Sequence, residues 1–140
     1  MEITFRESLE GVGVDQLSGN FFEGWPNPPS NTTFLKLLEQ SYAVELAVDE
    51  ETGNVVGFIQ AISDGVLSAF IPLLEVLPEY QGKGIGTDLI KRMFNRLGDL
   101  YMIDLLCDNE LQGFYERQGM QKASGMVIRH YQNQSGAVSS

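Results

Sequence analysis

The chain opens on a short alternation of apolar and polar positions, residues 3–6, which predicts a first strand. Helical spacing follows at residues 15–22 and 32–40. In the second of these Phe34, Leu35 and Leu38 form an apolar face, and Ser30 or Asn31 can cap the N-terminus. Between the two, Glu23-Gly-Trp-Pro-Asn-Pro-Pro-Ser30 carries three prolines in eight residues and so must be loop. Residues 42–48 and 55–62 read as strands joined by the hairpin loop Asp49-Glu-Glu-Thr-Gly-Asn54. A tight turn, Ser63-Asp-Gly65, leads into the apolar run 66–77. Pro72 lies within that run and has no N–H to give a ladder, so a bulge or a local parting from a neighbouring strand is expected there.

After Pro78 the stretch Glu79-Tyr-Gln-Gly-Lys-Gly-Ile-Gly86 is glycine-rich and opens the best-patterned helix of the chain. Ile85, Leu89, Ile90, Met93, Phe94 and Leu97 share one stripe, with Asp88, Lys91, Arg92, Asn95 and Arg96 opposite and Gly98 at the end. Residues 101–107 read as the next strand. Residues 110–118 read as a short helix with Leu111, Phe114 and Tyr115 on one face and Gly119 as its stop; residues 127–131 read as a closing strand. Hairpins first and strand–helix alternation later imply an α/β (α+β) fold. The expected form is a single layered domain, residues 1–131, with a central mixed, mostly antiparallel sheet and helices on both faces. The polar tail 132–140 is expected to lie outside it and to fray.

Composition narrows the function. At 140 residues the chain has room for one domain and not for two with cores of their own. No apolar run approaches the roughly 20 residues that span a bilayer, and the N-terminus lacks the basic-then-apolar pattern of a secretory signal. A cytoplasmic protein with no membrane partner is the expectation. A single cysteine, Cys107, excludes an internal disulfide and a multi-cysteine metal site, and a single histidine, His130, argues against a histidine-rich metal centre. No metal is expected. The net charge of −10 disfavours nucleic acid as a partner. That charge is unevenly divided. Residues 1–80 hold 13 acidic side chains against Arg6 and Lys36, whereas residues 81–140 hold seven basic and six acidic ones. Two readings follow: a solvated acidic surface, or two ligands of opposite charge, one for each half.

Gly82, Gly84 and Gly86 sit between a strand and the first turn of an amphipathic helix. Such a turn can aim successive backbone N–H groups inward, and the helix N-terminus adds partial positive charge, which suits a pyrophosphate. It can also be a plain tight connection. The dinucleotide fingerprint fails because Thr87 stands where its third glycine belongs, and the P-loop fails because Lys83 precedes Gly84.

Val76-Leu-Pro-Glu-Tyr-Gln81-Gly-Lys-Gly84-Ile-Gly86 resembles the coenzyme A signature of the GCN5-related N-acetyltransferase (GNAT) superfamily, Arg/Gln-x-x-Gly-x-Gly/Ala, through Gln81, Gly84 and Gly86. Downstream, Phe114-Tyr-Glu-Arg-Gln-Gly-Met120 resembles the family's Leu/Phe-Tyr-x-x-x-Gly-Phe element, with Met120 in place of the phenylalanine. The resemblance implies acetyl-coenzyme A as co-substrate and a sheet splayed between the strands near 66–77 and 101–107, with the pantetheine lying in the gap. Leu74, Glu75 and Val76 would offer it backbone groups. Gln81, Gly82, Lys83, Gly84, Ile85, Gly86 and Thr87 would hold the pyrophosphate, with Lys83 or Arg92 near a phosphate. The family's asparagine falls at Asp108 here, so Asn109, one residue later, stands as the coenzyme contact. Tyr115 would face the coenzyme sulfur.

Transfer to an amine needs a group to take a proton from nitrogen and a group to steady the departing thiolate. Glu75, a lone carboxylate in Ile-Pro-Leu-Leu-Glu-Val-Leu, is the candidate base if its apolar setting raises its pKa; otherwise it is a solvent-facing glutamate. Asp104 is the rival. Without the resemblance Tyr115 would read as core filling. Cys107 reads as a buried small hydrophobe and not a nucleophile, and His130 as structural. Trp25, Phe21 and Phe22 either line an acceptor pocket or pin their loop to the core. The implied activity is direct, ternary-complex transfer to a small-molecule or peptide amine, with room left for a homodimer. The alternative is a non-catalytic acyl-coenzyme A-binding sensor or regulatory module.

Overall fold

The computed structural model describes residues 1–137. β1 (Ile3–Arg6), β2 (Ala43–Asp49) and β3 (Asn54–Ser63) form an antiparallel run, the last two joined by the predicted hairpin. The apolar run 66–77 divides into β4 (Ser68–Phe70) and β5 (Leu74–Val76), both antiparallel to β3. Ile62 faces Phe70 and Ile59 faces Leu74, so β3 advances three residues while the other chain advances four. The extra residue is a bulge centred on Pro72, where a missing N–H costs the ladder nothing. β6 (Met102–Asp104) runs parallel to β4. The Ile71 N–H donates to the Asp104 carbonyl at 2.9 Å, after which β5 stays with β3 and leaves β6. The sheet of order β1-β2-β3-β4-β6 is therefore mixed, mostly antiparallel and splayed where expected.

Helices cover both faces. Gly57 on β3 lies under Ile85 and Leu89 of α2 (Ile85–Arg96), and a Cβ there would come within 3.2 Å of Leu89. On the other face Phe58 meets Phe34 of α1 (Asn31–Glu39), with ring centroids 4.8 Å apart. Ser30 caps α1 by accepting the Thr33 N–H at 3.1 Å. The stripe of α2 is buried as predicted at Ile85, Leu89, Ile90, Met93 and Leu97. Arg96 departs from its expected solvent face: it bonds Glu45, which is 2% exposed, at 2.9 Å and also donates to the Val44 carbonyl.

Three expectations need correction. Residues 15–22 make only a 3₁₀ turn, Val14–Leu17, because Leu17, Phe21 and Phe22 enter the core from a chain that reverses at Phe22, whose φ is 62°. Residues 127–131 form no strand; residues 120–130 are irregular, and Tyr131–Asn133 is a 3₁₀ turn. The tail starts docked, not frayed, since the Gln134 Oε1 accepts the Asn27 N–H at 2.9 Å. Residues 138–140 of that tail lie outside the described residues.

Candidate active site

The glycine-rich loop is held at both ends before it turns. The Tyr80 hydroxyl donates to Asp49 Oδ2 at 2.7 Å, and Gln81 Nε2 donates to the Val76 carbonyl at 2.9 Å. Gly82 and Gly84 then take φ of 76° and 83°, in the left-handed region, with nothing within 4 Å of where a Cβ would stand. Among the described residues no protein acceptor receives the N–H groups of residues 82–87, and the helical ladder begins with Asp88 N–H to the Gly84 carbonyl at 3.0 Å. Six consecutive donors at a helix N-terminus form a cradle for an anion. Ile85 is buried, so it contributes its backbone alone, while Lys83 is exposed on the loop. Arg92 does not share the loop; its guanidinium sits 4.4 Å over the Phe5 ring, on β1.

The open side of β5 follows from its ladder. Leu77 N–H donates to the Val56 carbonyl at 2.8 Å, and Gln60 N–H donates to the Leu73 carbonyl at 3.2 Å. By alternation Leu73, Glu75 and Leu77 turn their backbone groups to β3, and Leu74 and Val76 turn theirs to the splay. The backbone of Glu75 is thus engaged, contrary to the expectation that it serves the coenzyme. The Val76 carbonyl is already met by Gln81.

A cleft of about 510 Å³ opens in the splay, bordered by Trp25, Leu74, Glu75, Cys107, Asp108 and Tyr115. Glu75 is half-buried on the same face as Phe58, and its Oε1 accepts the Phe22 N–H at 2.8 Å. Desolvation pushes its pKa up, and the bond from Phe22 offsets part of that. Phe22 is the one non-glycine residue with positive φ among the described residues, an arrangement that costs about 1–2 kcal/mol. The cost aims its N–H at the carboxylate. Phe21 and Phe22 are buried with Phe34 and pin the loop, while Trp25, 5.0 Å from Phe22, lines the cleft.

Tyr115, on α3 (Gln112–Arg117), reaches the cleft from the side opposite β5, and burial raises its pKa. Gly86 at the start of α2 packs near Val76 and Phe114, so the cradle, β5 and α3 meet at one point. Asp104 is exposed and does not line the cleft. Asp108 lines it, whereas Asn109 is exposed beside it, in the turn Asn109–Leu111. Burial holds the Cys107 thiol above its ordinary pKa, with Asp108 and Glu110 adding to the effect, so it stays protonated. His130 is exposed at the start of a 3₁₀ turn. Two contributors have no signal in the sequence: Val127 and Arg129 also line the cleft, brought there by an irregular segment. Among the described residues no group of three or more His, Cys, Asp and Glu side chains could hold a metal ion, and no helix is long and apolar enough to cross a membrane.

An open mixed sheet, splayed beside a donor-lined helix start, places the chain among the layered α/β transferase folds. The model of the Acetyltransferase (GNAT) family matches residues 14–120, and the chain belongs to that family. It is similar to an assigned acetyltransferase from Deinococcus radiodurans R1, with 47% identity and a TM-score of 0.93 over 98% of this chain and 94% of that one. A GNAT family acetyltransferase of Streptococcus pneumoniae TIGR4 shares 29% identity at a TM-score of 0.74, over 92% and 98%. GCN5-related N-acetyltransferase 1, chloroplastic, of Arabidopsis thaliana is 30% identical over 117 residues, 81% of this chain and 59% of the relative. The chain therefore spans just under three fifths of the length of that curated relative.

Proposed function

We propose that the protein transfers the acetyl group of acetyl-coenzyme A to a primary amine by direct attack within a ternary complex. The observation that carries this reading is the run of six N–H donors at residues 82–87, unmet among the described residues and opening beside a cleft that holds one desolvated carboxylate, Glu75. The donors suit the pyrophosphate, and the outward backbone groups of Leu74 and Val76 suit the amide-bearing pantetheine. The amine nitrogen forms a bond to the thioester carbon, its proton passes to Glu75 directly or through water, and the carbon–sulfur bond breaks. Tyr115 donates a hydrogen bond to the sulfur as charge gathers there. Burial brings the proton affinity of Glu75 closer to that of an amine, which a solvated carboxylate lacks.

The acceptor we assign is cationic, a small molecule or a peptide amine. Thirteen acidic side chains in residues 1–80 favour its approach, and Glu75 and Asp108 stand in the cleft against one arginine, Arg129. A thiol-release screen over polyamines, aminoglycosides, amino acids and peptide N-termini tests the reading. Turnover should be highest with a cation, and kcat/KM should fall as salt rises, because steering is screened over about 8–10 Å at physiological ionic strength. Coenzyme binding with no thiol release from any amine would instead identify a sensor.

A further inference from the structure

We infer that Trp25 selects an acceptor with a second positive charge, a diamine or polyamine, by holding the protonated nitrogen that does not react against its indole ring. The inference rests on the acetyl transfer proposed above and narrows the acceptor within the cationic class. Among the described residues, the charged side chains that border the cleft are Glu75, Asp108 and Arg129, two acids against one base. Much of the remaining wall is apolar, with Leu73, Leu74 and Leu105 among its members. Such a wall suits a polymethylene stem, and the polar groups suit charge at its ends.

The indole is held from both ends of its loop. Trp25 packs on Phe22 with ring centroids 5.0 Å apart and planes at 58°, and its backbone N–H donates to the Phe22 carbonyl at 3.1 Å. The Phe22 N–H in turn donates to Glu75 Oε1 at 2.8 Å, so one residue positions both the indole and the candidate base. On the other side, Pro26, Pro28 and Pro29 stiffen the chain, and the Asn27 N–H is met by Gln134 at 2.9 Å. No cation of this chain occupies the indole. Among the described residues the one cation–π contact is Arg92 over Phe5, away from the cleft.

The reaction decides which nitrogen Trp25 can hold. The reacting nitrogen must be neutral to form its bond to the thioester carbon. It then gives a proton to Glu75 as the carbon–sulfur bond breaks and the electron pair leaves on sulfur. It therefore brings no full charge to an aromatic ring at the moment of attack. A second alkyl ammonium, with a pKa of about 10, keeps its proton at neutral pH throughout. A half-buried tryptophan attracts that cation through the negative face of its ring, most strongly of the aromatic side chains. The acidic surface draws in any cation from solution, whereas a fixed indole in the cleft favours one whose other end is reacting.

Trp25 is the only tryptophan of the chain, so its fluorescence reads occupancy directly. With coenzyme A in place of the acetyl donor, a straight-chain diamine should change that emission saturably, and the diol of the same length should not. With acetyl-coenzyme A, the ratio of kcat/KM for the diamine to that for the amino alcohol of the same length reads the preference for a second charge. That ratio should fall about 3- to 30-fold in Trp25→Leu, and by less in Trp25→Phe, which keeps a ring. A loop that had merely loosened would lower both rates alike and leave the ratio unchanged. An unchanged ratio in Trp25→Leu overturns the inference, as does emission that ignores the diamine or answers the diol equally. Saturable emission with no acetyl transfer to any amine would keep the diamine site and overturn the transfer reading instead.

Discussion

Two stretches of this chain leave a run of backbone N–H groups without a protein acceptor among the described residues, and they differ in geometry and in flanking side chains. In residues 82–87 the donors sit on a tight turn with left-handed glycines at two positions, and they gather at the start of α2. In residues 121–130 the donors are strung along irregular chain, flanked by Met126, Val127 and Ile128. Unmet donors alone specify nothing, because water satisfies them at little cost. Their geometry and their flanking side chains decide. Donors concentrated on a bare backbone suit a compact anion, whereas donors spread along an apolar segment do not converge on one.

The sharpest way to break that comparison is to fill the turn. Gly84→Asp puts a carboxylate into the cradle and strains a backbone whose φ is 83°. Coenzyme at 100 times its dissociation constant should stabilise the wild type by about 2.7 kcal/mol. In a folded Gly84→Asp variant this stabilisation should vanish, while Gly84→Ala, which keeps the strain without the charge, should retain part of it. Differential scanning fluorimetry reads both. Acetyl-coenzyme A should also protect amides 82–87 in hydrogen exchange. An equal thermal shift in wild type and Gly84→Asp would remove the anion from the loop.

The next effect, on turnover, is expected at Glu75 in the cleft. Glu75→Gln keeps an oxygen for the Phe22 N–H and loses the proposed base, so turnover should fall by about 10²- to 10⁴-fold with coenzyme affinity unchanged. Its pKa is raised in the folded state, so the folded protein binds that proton more tightly than the unfolded chain does. The ionised carboxylate therefore costs stability above the raised value, and the cost disappears as pH falls through the ordinary glutamate range. At neutral pH Glu75→Gln should be as stable as the wild type or more so, with the difference closing in acid. In the wild type, activity should fall with decreasing pH on a limb above the ordinary glutamate pKa. A variant that keeps full turnover would return Glu75 to a purely structural role, that of bonding Phe22.

The same contrast explains what could be read from residues alone. The loop was legible because its requirements are local: glycine where φ is positive, a helix stripe beginning at Ile85, and a proline that parts a ladder. The splay at Pro72 and the two-sided sheet followed for the same reason. Residues 15–22 and 127–131 were misread because their apolar positions answer to distant surfaces. Phe21 and Phe22 pack on Phe34 and Phe58 across the fold, so their spacing mimics a helix. Arg129 lines the cleft on an irregular segment that leads to Gln134, which is bonded to Asn27, far away in the sequence. Arg96 looked solvent-facing because its partner, Glu45, lies on a strand that its own helix pattern cannot reveal.

Tyr115→Phe should have the smallest effect, and its size tests how the cleft treats charge on sulfur. A phenol has a pKa near 10 and an ordinary thiol about 8.5, so full proton transfer to the thiolate is uphill by roughly 2 kcal/mol. Burial raises the Tyr115 pKa, with the nearby Cys107 adding to it, so the transfer is more uphill here. On the proposed mechanism Tyr115 therefore suits the role of a hydrogen-bond donor to the leaving sulfur better than that of a full acid, with the proton arriving late or from water. One donor to a developing anion is worth about 2.7–4 kcal/mol in a well-organised site, and a large, soft sulfur anion draws less. Turnover should fall on the order of 10- to 100-fold, with the coenzyme dissociation constant nearly unchanged because phenylalanine keeps the packing against Phe114. A donor with a more acidic leaving thiol should narrow the gap between the two proteins, since less charge then needs support. Unchanged turnover where chemistry limits the rate would make Tyr115 a packing residue. A loss carried wholly by weaker coenzyme binding would make it a contact to the pantetheine.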